Sequence, residues 1–364
     1  VITELPVGGA ERCLTELAIG LNRRGFGVRV FSIGPPPAPS RDALVQRLHS
    51  ATIPFHSLHA SSAWAAPAAL FRLRRFFLAD RPDIVQTFLH HANVLGTLAA
   101  RLAKVPTCVG GIRVAQPNRW RSLLERRAVA KMNAVICVSD AVEAFARQRI
   151  VPANIPTTVI PNGVDLRRFE TAAAADWTRW GIPRDACVAL YVGRLEPQKG
   201  LEQLFAAAES FLQDEPNRWL VLAGDGPELN WARSVCDRLP GKRAKCIGWQ
   251  SDVAALLAAA RMLLLTSRYE GMPNVVLEAM ASARPVVCFA VEGIEQIFAP
   301  AAHLADRWQV IPVGDIERFS RAVSQFFSDE ELRRTAGRQN RARVAERYSI
   351  DSMVDAYAAF YRGR

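Results

Sequence analysis

The sequence predicts an α/β protein with two parallel-sheet domains, and two observations carry that prediction. The first observation is an order of elements near Gly8-Gly9: a short apolar run, a glycine turn, a helix with apolar residues at helical spacing, and a further strand. The same order restarts at Val188. The chain has 364 residues, half of them apolar, which is enough for two domains with a core each.

Composition narrows the class of protein. The seven cysteines show no C-x-x-C and no cluster with histidine, which indicates reduced thiols of a cytosolic protein and neither a disulfide framework nor a zinc site. No run of 18 apolar residues exists, so we expect no membrane span and no signal peptide. The net charge of +11 suits acidic partners. Because the chain begins with Val1 and leads straight into a glycine turn, we expect the opening strand to have lost its first residues.

The first turn is Gly8-Gly9, which opens a helix ending at Gly25, before a strand over Val28 to Ile33. Glycines let a backbone approach a ligand closely, although such a pair by itself is more often a plain tight turn.

A strand over Asp83 to Phe88 runs into His90 and His91, and a helix is predicted from Val94 to Ala103. Histidine at the carboxyl end of a parallel strand lies where α/β proteins bind ligands. A lone histidine is usually structural, and neither of these two has metal-ligand spacing.

A basic helix follows the next strand, with Trp120, Leu123, Leu124 and Arg127 on one face. Such a helix can lie on an anionic membrane surface, or it can be a solvated helix with an ordinary buried stripe, which we slightly favour. No nucleic-acid-binding motif is present, so we expect no nucleic-acid partner.

The turn Gly193 to Gly200 lies between a strand over Val188 to Val192 and a helix over Leu201 to Leu212. It carries Arg194 and Lys199, whose charges suit a diphosphate, although such residues are also common in solvated loops.

The chain is organised around the stretch from Arg268 to Arg284. A short apolar strand is broken by Gly271 and Pro273, and a helix follows, so free N–H groups face the carboxyl end of the sheet and suit phosphate. The carboxylates of Glu270 in the loop and Glu278 in the helix would repel a bound phosphate, which costs free energy unless they accept hydrogen bonds from hydroxyls. A nucleotide sugar supplies both the phosphate and the hydroxyls. A surface helix with solvated glutamates explains the pattern about equally well.

The segment Glu270 to Asn274 with Glu278 resembles the E-x7-E motif of the retaining glycosyltransferases of family 4, which have the GT-B fold of two Rossmann-like domains facing across a cleft. Further segments resemble the family in the same order. They are Gly8-Gly9-x-Glu11, His91-Ala92-Asn93, Pro161 to Asp165 and Gly193-Arg194 to Lys199-Gly200. The chain departs from the family pattern at Gln86 or Phe88, where an earlier histidine is common, and at Glu292 to Glu295, which lacks a proline.

The resemblance implies a domain over 1–168, a donor domain over 169–348, and a last helix over about 349–364 that crosses back to the first domain. It implies catalytic roles for Glu270, His91, Arg194 and Lys199. The residues that it assigns to donor binding are Gly8, Gly9, Arg194, Lys199, Gly248, Trp249, Glu270, Gly271, Met272, Pro273, Asn274, Val275 and Glu278.

The implied activity is retaining, metal-independent transfer of a hexose from a nucleotide sugar, which we expect to be a UDP- or GDP-sugar, to a glycan or lipid-linked acceptor. No cofactor and no metal are expected. The expected location is cytoplasmic, with peripheral binding to the inner face of the membrane. The alternatives are a nucleotide-sugar epimerase of the same fold and an inert sugar-nucleotide-binding protein.

Overall fold

The computed structural model describes residues 1–114, 119–299 and 305–363, and the chain divides into two compact units. The first unit comprises Val1–Gly163 with Ile350–Arg364, and the second comprises Val164–Ser349.

In chain order, the strands are β1 Val30–Ser32, β2 Phe55–Ser57, β3 Ile84–Gln86, β4 Thr107–Ile112, β5 Ala134–Cys137, β6 Thr157–Val159, β7 Cys187–Val192, β8 Arg218–Ala223, β9 Ala244–Gly248, β10 Met262–Leu265, β11 Val286–Phe289 and β12 Val310–Ile311. The helices are α1 Gly9–Arg23, α2 Ala43–Ser50, α3 Ala66–Asp80, α4 His90–Leu102, α5 Arg119–Val129, α6 Asp140–Arg149, α7 Leu166–Glu170, α8 Leu201–Asp214, α9 Leu229–Cys236, α10 Val253–Ala259, α11 Asn274–Ala281, α12 Ile294–Phe298, α13 Asp306–Gln309, α14 Ile316–Ser328, α15 Glu330–Arg347 and α16 Ile350–Arg362.

The opening segment joins two parallel sheets in the first unit, β1-β2 and β3-β4-β5-β6. Ile2 bridges Ser32 on one side and Phe88 on the other, and all of these pairings are parallel. Main-chain hydrogen bonds of 2.9 Å from Ile2 N to Phe31 O and 2.8 Å from Phe88 N to Val1 O hold it. Strand order therefore reverses around this segment, which places the following turns where open α/β sheets bind ligands.

Helix α16 packs on α1 in the first unit. A side chain at Gly20 of α1 would collide with Val354 of α16, so the two helices approach closely at this glycine. Met353 and Tyr357 belong to the core around α1. The buried guanidinium of Arg113 donates to Tyr357 Oη at 3.5 Å and to the side chain of Asn162. The last helix is thus part of the first unit's core.

The second unit is a six-stranded parallel sheet in the order β12-β11-β10-β7-β8-β9. Its four inner strands, β11, β10, β7 and β8, are almost entirely buried, as expected for a parallel sheet with helices on both faces. The first strand of the unit, β7, lies beside β10, so the strand order reverses between these two strands.

The chain enters and leaves the second unit at one place. Val164 N donates to Tyr348 O at 2.8 Å, and Val164 bridges Ser349. The division therefore falls after Gly163, whereas the sequence analysis placed it after residue 168. Phe169 of α7 is buried in the second unit. In the described part of the chain, no helix is long and apolar enough to cross a membrane.

Candidate functional site

The turns after β7 and β10 lie side by side where the strand order of the second unit reverses. Arg268 N donates to Gln198 O at 2.8 Å, and Gln198 Nε2 donates to Tyr269 O at 3.0 Å. Thr266 Oγ1 donates to Lys199 O at 3.1 Å. These bonds hold the two turns as one structure at the position where open α/β sheets bind ligands.

The side chains of Lys199 and Glu270 form an ion pair inside this structure. Lys199 Nζ donates to Glu270 Oε1 at 2.6 Å, and Ser267 Oγ donates to the same oxygen at 2.7 Å. Glu270 is buried and Lys199 is largely shielded, since 16% of its side chain is exposed. Both donors use Oε1, and among the described residues nothing donates to Oε2. One carboxylate oxygen is thus fixed while the other can accept a hydrogen bond from a ligand.

Gly200 is required by the close approach of the two turns. Its φ is +60°, a left-handed conformation that favours glycine, and a Cβ there would collide with the carbonyl oxygen of Thr266. The glycine that follows Lys199 therefore lets the lysine turn sit against the end of β10.

Arg194 has a fixed backbone and an exposed side chain. Tyr191 Oη donates to Arg194 O at 2.8 Å, and burial, followed by the charge of Glu270, raises the pKa of Tyr191 well above its ordinary value. The Arg194 guanidinium lies 3.4 Å from the Glu196 carboxylate. The two cations of this turn therefore differ in solvent exposure: Lys199 is enclosed, whereas Arg194 reaches into solvent.

Helix α11 begins at Asn274, and Pro273 occupies the position before its first residue. Glu278 lies about one turn into the helix and is buried. Gly293, with φ +78°, packs against the carbonyl of Gly271 so closely that a Cβ would collide. The loop Glu292 to Glu295, which lacks the family's proline, thus packs against the residues before α11. Met272 is buried and Val275 is half-buried.

The loops after β8 and β9 adjoin the turn after β7. Gly224 lies against the carbonyl of Gly193, where a Cβ would collide, and Gly224 N donates to Gly248 O at 2.8 Å. Gly248 is left-handed with φ +72°, and Trp249 after it is half-buried. The donor-site residues predicted in this unit therefore gather along one edge, at the carboxyl ends of β7, β9 and β10.

In the first unit, Gly8 and His91 follow neighbouring strands. Gly8 caps α1, and Leu89, with φ +72°, precedes α4, which begins at His90 and not at Val94 as predicted. His91 is exposed, and partial desolvation, followed by the charges of His90 and Arg121, lowers its pKa. His91 is therefore neutral near neutral pH.

Glu125 is a buried partner that sequence reasoning missed. Its Oε2 lies 3.1 Å from His90 Nδ1, and its Oε1 accepts from Asn93 Nδ2 at 2.6 Å. His90 and Asn93 are thus tied to α5, while His91 remains outward. Glu125 lies 35 residues from His90, and no local signal marks it. The side chain of Trp120, part of the predicted face of the basic helix, lies outside the described residues.

The comparisons with known proteins agree with this architecture. The family described as glycosyl transferases group 1 matches residues 176–343, and glycosyltransferase family 4 matches residues 7–168. The lipopolysaccharide core biosynthesis glycosyltransferase LpsE of Rhizobium meliloti is 30% identical over 359 residues, spanning 96% of this chain and 94% of LpsE. The UDP-Gal:alpha-D-GlcNAc-diphosphoundecaprenol alpha-1,3-galactosyltransferase of Escherichia coli is 25% identical over 311 residues, spanning 80% and 78%.

Among solved structures, Anabaena HepE in complex with UDP-glucose superposes with a TM-score of 0.85 at 21% identity, covering 100% of this chain and 98% of that one. The two parallel α/β units therefore define a protein of the GT-B fold. The chain belongs to the group 1 glycosyltransferases of family 4 and is a glycosyltransferase.

Proposed function

We propose that the chain transfers a hexose from a nucleoside-diphosphate sugar to a glycan or lipid-linked acceptor in the synthesis of surface polysaccharide or glycolipid. The observation that carries the proposal is the Lys199–Glu270 pair, which stands where the strand order of the second unit reverses. UDP-sugars are the donors to test first, because the similar galactosyltransferase is named for UDP-Gal and HepE was crystallised with UDP-glucose.

The leaving diphosphate needs positive charge and N–H dipoles. Lys199 supplies an enclosed cation, Arg194 supplies a mobile one, and the first N–H groups of α11 follow Pro273. Lys199 has a second effect, since its ammonium offsets the charge of Glu270 and so lets a carboxylate remain beside an anionic donor. This arrangement assigns charge stabilisation to the protein, so we propose transfer without a divalent metal.

The carboxylates bind hydroxyls in this proposal. Glu270 Oε1 is occupied by Lys199 and Ser267, so Oε2 accepts from a hydroxyl of the donor sugar. Glu278, buried one turn into α11, accepts from the ribose. Backbone groups near Gly248 and Trp249 border the base.

We further propose that the transfer retains the anomeric configuration. The acceptor oxygen attacks C1 from the face that the diphosphate leaves, and its proton passes to a departing phosphate oxygen, so that no protein nucleophile is needed. Neutral His91 and the Gly8-Gly9 turn contribute polar contacts near the sugar and acceptor. The enzyme would act on the cytoplasmic side, bound peripherally at an anionic membrane surface.

The first test is a thermal-shift panel of UDP, GDP, ADP and their sugars, each with magnesium and with a chelator. Binding to the folded state raises the melting temperature. We expect one nucleotide to give a shift that is independent of magnesium and is lost in Lys199→Ala. A panel without any shift would contradict the donor site.

Site variants then test the chemistry. Arg194→Ala, Lys199→Ala and Glu270→Ala are each expected to reduce transfer strongly. Arg194→Ala is the most direct of them, because its side chain is exposed and its loss should leave the melting temperature unchanged. Full transfer activity in all three variants would contradict the assignment of the donor site.

Assays on the same purified protein distinguish two alternative functions from glycosyl transfer. A nucleotide-sugar epimerase converts the donor without any acceptor, and it is not favoured because LpsE and the similar galactosyltransferase are glycosyltransferases. An inert binding protein would show the thermal shift and form no product with any acceptor.

A further inference from the structure

Helix α3 of the first unit is apolar on two opposite sides. Its inner side buries Ala69, Leu73 and Phe77. Its outer side carries a line that starts at Trp64, in the single turn just before the helix, and continues through Phe71 and Leu78. These three side chains are 94%, 64% and 45% exposed.

The spacing makes the outer residues one surface. Phe71 and Leu78 are seven residues apart, about two helical turns, so they lie in a row along α3, and Trp64 is exposed in the turn at the N-terminal end of the helix. A helix that is apolar all round is normally enclosed on all sides. Here the described part of the chain covers only the inner side, so the outer side is suited to a second apolar environment.

Cations surround this row. Arg72 and Arg75 are exposed, and Arg74 donates to the carbonyl of Leu102, itself 51% exposed at the end of α4. Residues 64–79 contain no aspartate or glutamate. Asp80, the first acidic residue after them, is 2.6 Å from Arg29. The partner of this face must therefore offer an apolar layer and negative charge together.

We infer that the outer face of α3, defined by Trp64, Phe71, Leu78 and Leu102 with Arg72 and Arg75, docks on an anionic lipid bilayer. Tryptophan and phenylalanine bury their rings at the boundary between headgroups and acyl chains. Arginines beside them bind the acidic headgroups, with a gain that falls as salt rises.

A second copy of the chain is a poorer occupant of this face. A two-fold contact places the same patch on both sides, so that Arg72 and Arg75 would oppose their own copies. Like charges at a desolvated contact oppose association. A bilayer carries the opposite charge and adapts to the outline of the helix.

The inference deepens the proposed function, because a lipid-linked acceptor lies at such a surface. The sequence analysis gave membrane contact of α5 as one of two alternatives and slightly favoured a solvated helix, whereas this inference places the membrane contact on α3. Its test measures vesicle binding without glycosyl transfer, so the two proposals fail separately. A chain that floats with vesicles but transfers no sugar leaves the inference standing, and an active chain that does not float overturns it alone.

The experiment is flotation of the full chain with vesicles of equimolar phosphatidylglycerol and phosphatidylcholine, at low and high salt, beside vesicles of phosphatidylcholine alone. We expect binding to the anionic vesicles at low salt and weaker binding at high salt. The variant Trp64→Ser/Phe71→Ser should bind at least tenfold less, because it removes two rings that contact the bilayer. Arg72→Gln/Arg75→Gln should bind several-fold less and lose much of its salt dependence.

Two matched controls identify the surface. Trp231→Ser removes a 40% exposed tryptophan in the second unit, and Leu124→Ser removes a 52% exposed leucine of α5; both should float like the parent. Circular dichroism and melting temperature verify that each variant folds. Unchanged flotation of the Trp64/Phe71 variant would overturn the inference. Loss of flotation in Leu124→Ser alone would also overturn it. So would a dimer of the parent chain that Trp64→Ser dissociates, if neither the parent nor the variant binds vesicles.

Discussion

The ammonium of Lys199 and the carboxylate of Glu270 bind each other at 2.6 Å, although 71 residues separate them in the chain. The pair exists without any donor, because hydrogen bonds from Arg268 N, Gln198 Nε2 and Thr266 Oγ1 hold the turns after β7 and β10 together. The charges that a donor would meet are thus in place before binding, which reduces the cost of reorganisation during the reaction.

The first prediction concerns this pair. Lys199→Met keeps the length of the side chain but removes its charge, and it should lower kcat/KM for sugar transfer by about 10²- to 10³-fold, the usual effect of losing one charge-stabilising donor. Transfer rates with a radiolabelled donor measure it. Lys245→Met, an exposed lysine on β9, is the matched control. Equal activity of the two variants would contradict a role for Lys199 in transfer.

The second prediction concerns Gly200. Gly200→Ala must adopt a left-handed conformation, at about 1–2 kcal/mol, and must also push against Thr266 O. We expect a lower melting temperature and weaker donor binding, since the turn that carries Lys199 has to move. Gly181→Ala is the control, because that glycine is also left-handed, with φ +71°, but has nothing within 4 Å of the added Cβ. Calorimetry that finds the same loss for both would show that the close approach does not matter.

The third prediction concerns a buried ion pair away from the site. Arg343 Nη2 and Nη1 contact the Asp306 carboxylate at 2.7 and 3.3 Å, and both side chains are buried. Asp306→Ala leaves an uncompensated guanidinium and should reduce the free energy of unfolding by about 3–5 kcal/mol. Urea unfolding measures this loss. The exposed pair Arg321–Glu317 is the comparison, and Glu317→Ala should change stability by less than about 1 kcal/mol.

The fourth prediction follows from His91. Its folded-state pKa is lowered, first by desolvation and then by His90 and Arg121, so the unfolded chain binds the proton at a higher pH than the native chain. Stability therefore rises with pH through the window just below the ordinary histidine pKa of about 6.5, and falls as acid protonates the unfolded state. Melting temperatures between about pH 5 and 7.5 should show a shallower dependence in His91→Gln. A steeper pH dependence of the melting temperature in His91→Gln would contradict a lowered pKa of His91.

The fifth prediction concerns two thiols. Cys236 Sγ and Cys246 Sγ are 3.6 Å apart, and the hydrogen bond between them lowers the pKa of Cys246 and raises that of Cys236. Because the thiolate is the reactive form, iodoacetamide should label half-buried Cys246 before half-buried Cys187. Peptide mass spectrometry over time follows the labelling. In Cys236→Ala the labelling of Cys246 should slow, and an unchanged rate would argue against the hydrogen bond.

The local signals of the sequence predicted the turns of the candidate site. The turn at Gly193 to Gly200 and the strand before Glu270 lie where apolar runs meet glycine and proline, because glycine permits turn conformations that other residues avoid and proline fixes its own φ. The last helix, predicted over about 349–364, is present as α16, Ile350–Arg362. Before it, the carboxylate of Asp329 accepts from Leu332 N at 2.9 Å and caps the N-terminus of α15.

Contacts between distant residues could not be predicted from those signals. The hydrogen bond that Asn93 donates to Glu125 depends on how α5 packs against α4, and spacing along the chain contains no such information. The same holds for Arg113, which contacts Tyr357 across 244 residues. The outward apolar row of α3 was also missed, because periodicity shows that a residue is apolar but not which of two apolar sides is covered.

The hydrogen bond from Val164 N to Tyr348 O has a consequence for the order of folding. While residues 164–349 are unfolded, docking α16 on α1 closes a loop of nearly two hundred residues, at an entropic cost of about 4–5 kcal/mol. Once the second unit has folded, its two ends are adjacent, and most of that loop is already closed. The second unit therefore acts as an internal staple, whose own folding brings the last helix within reach of the core that it completes.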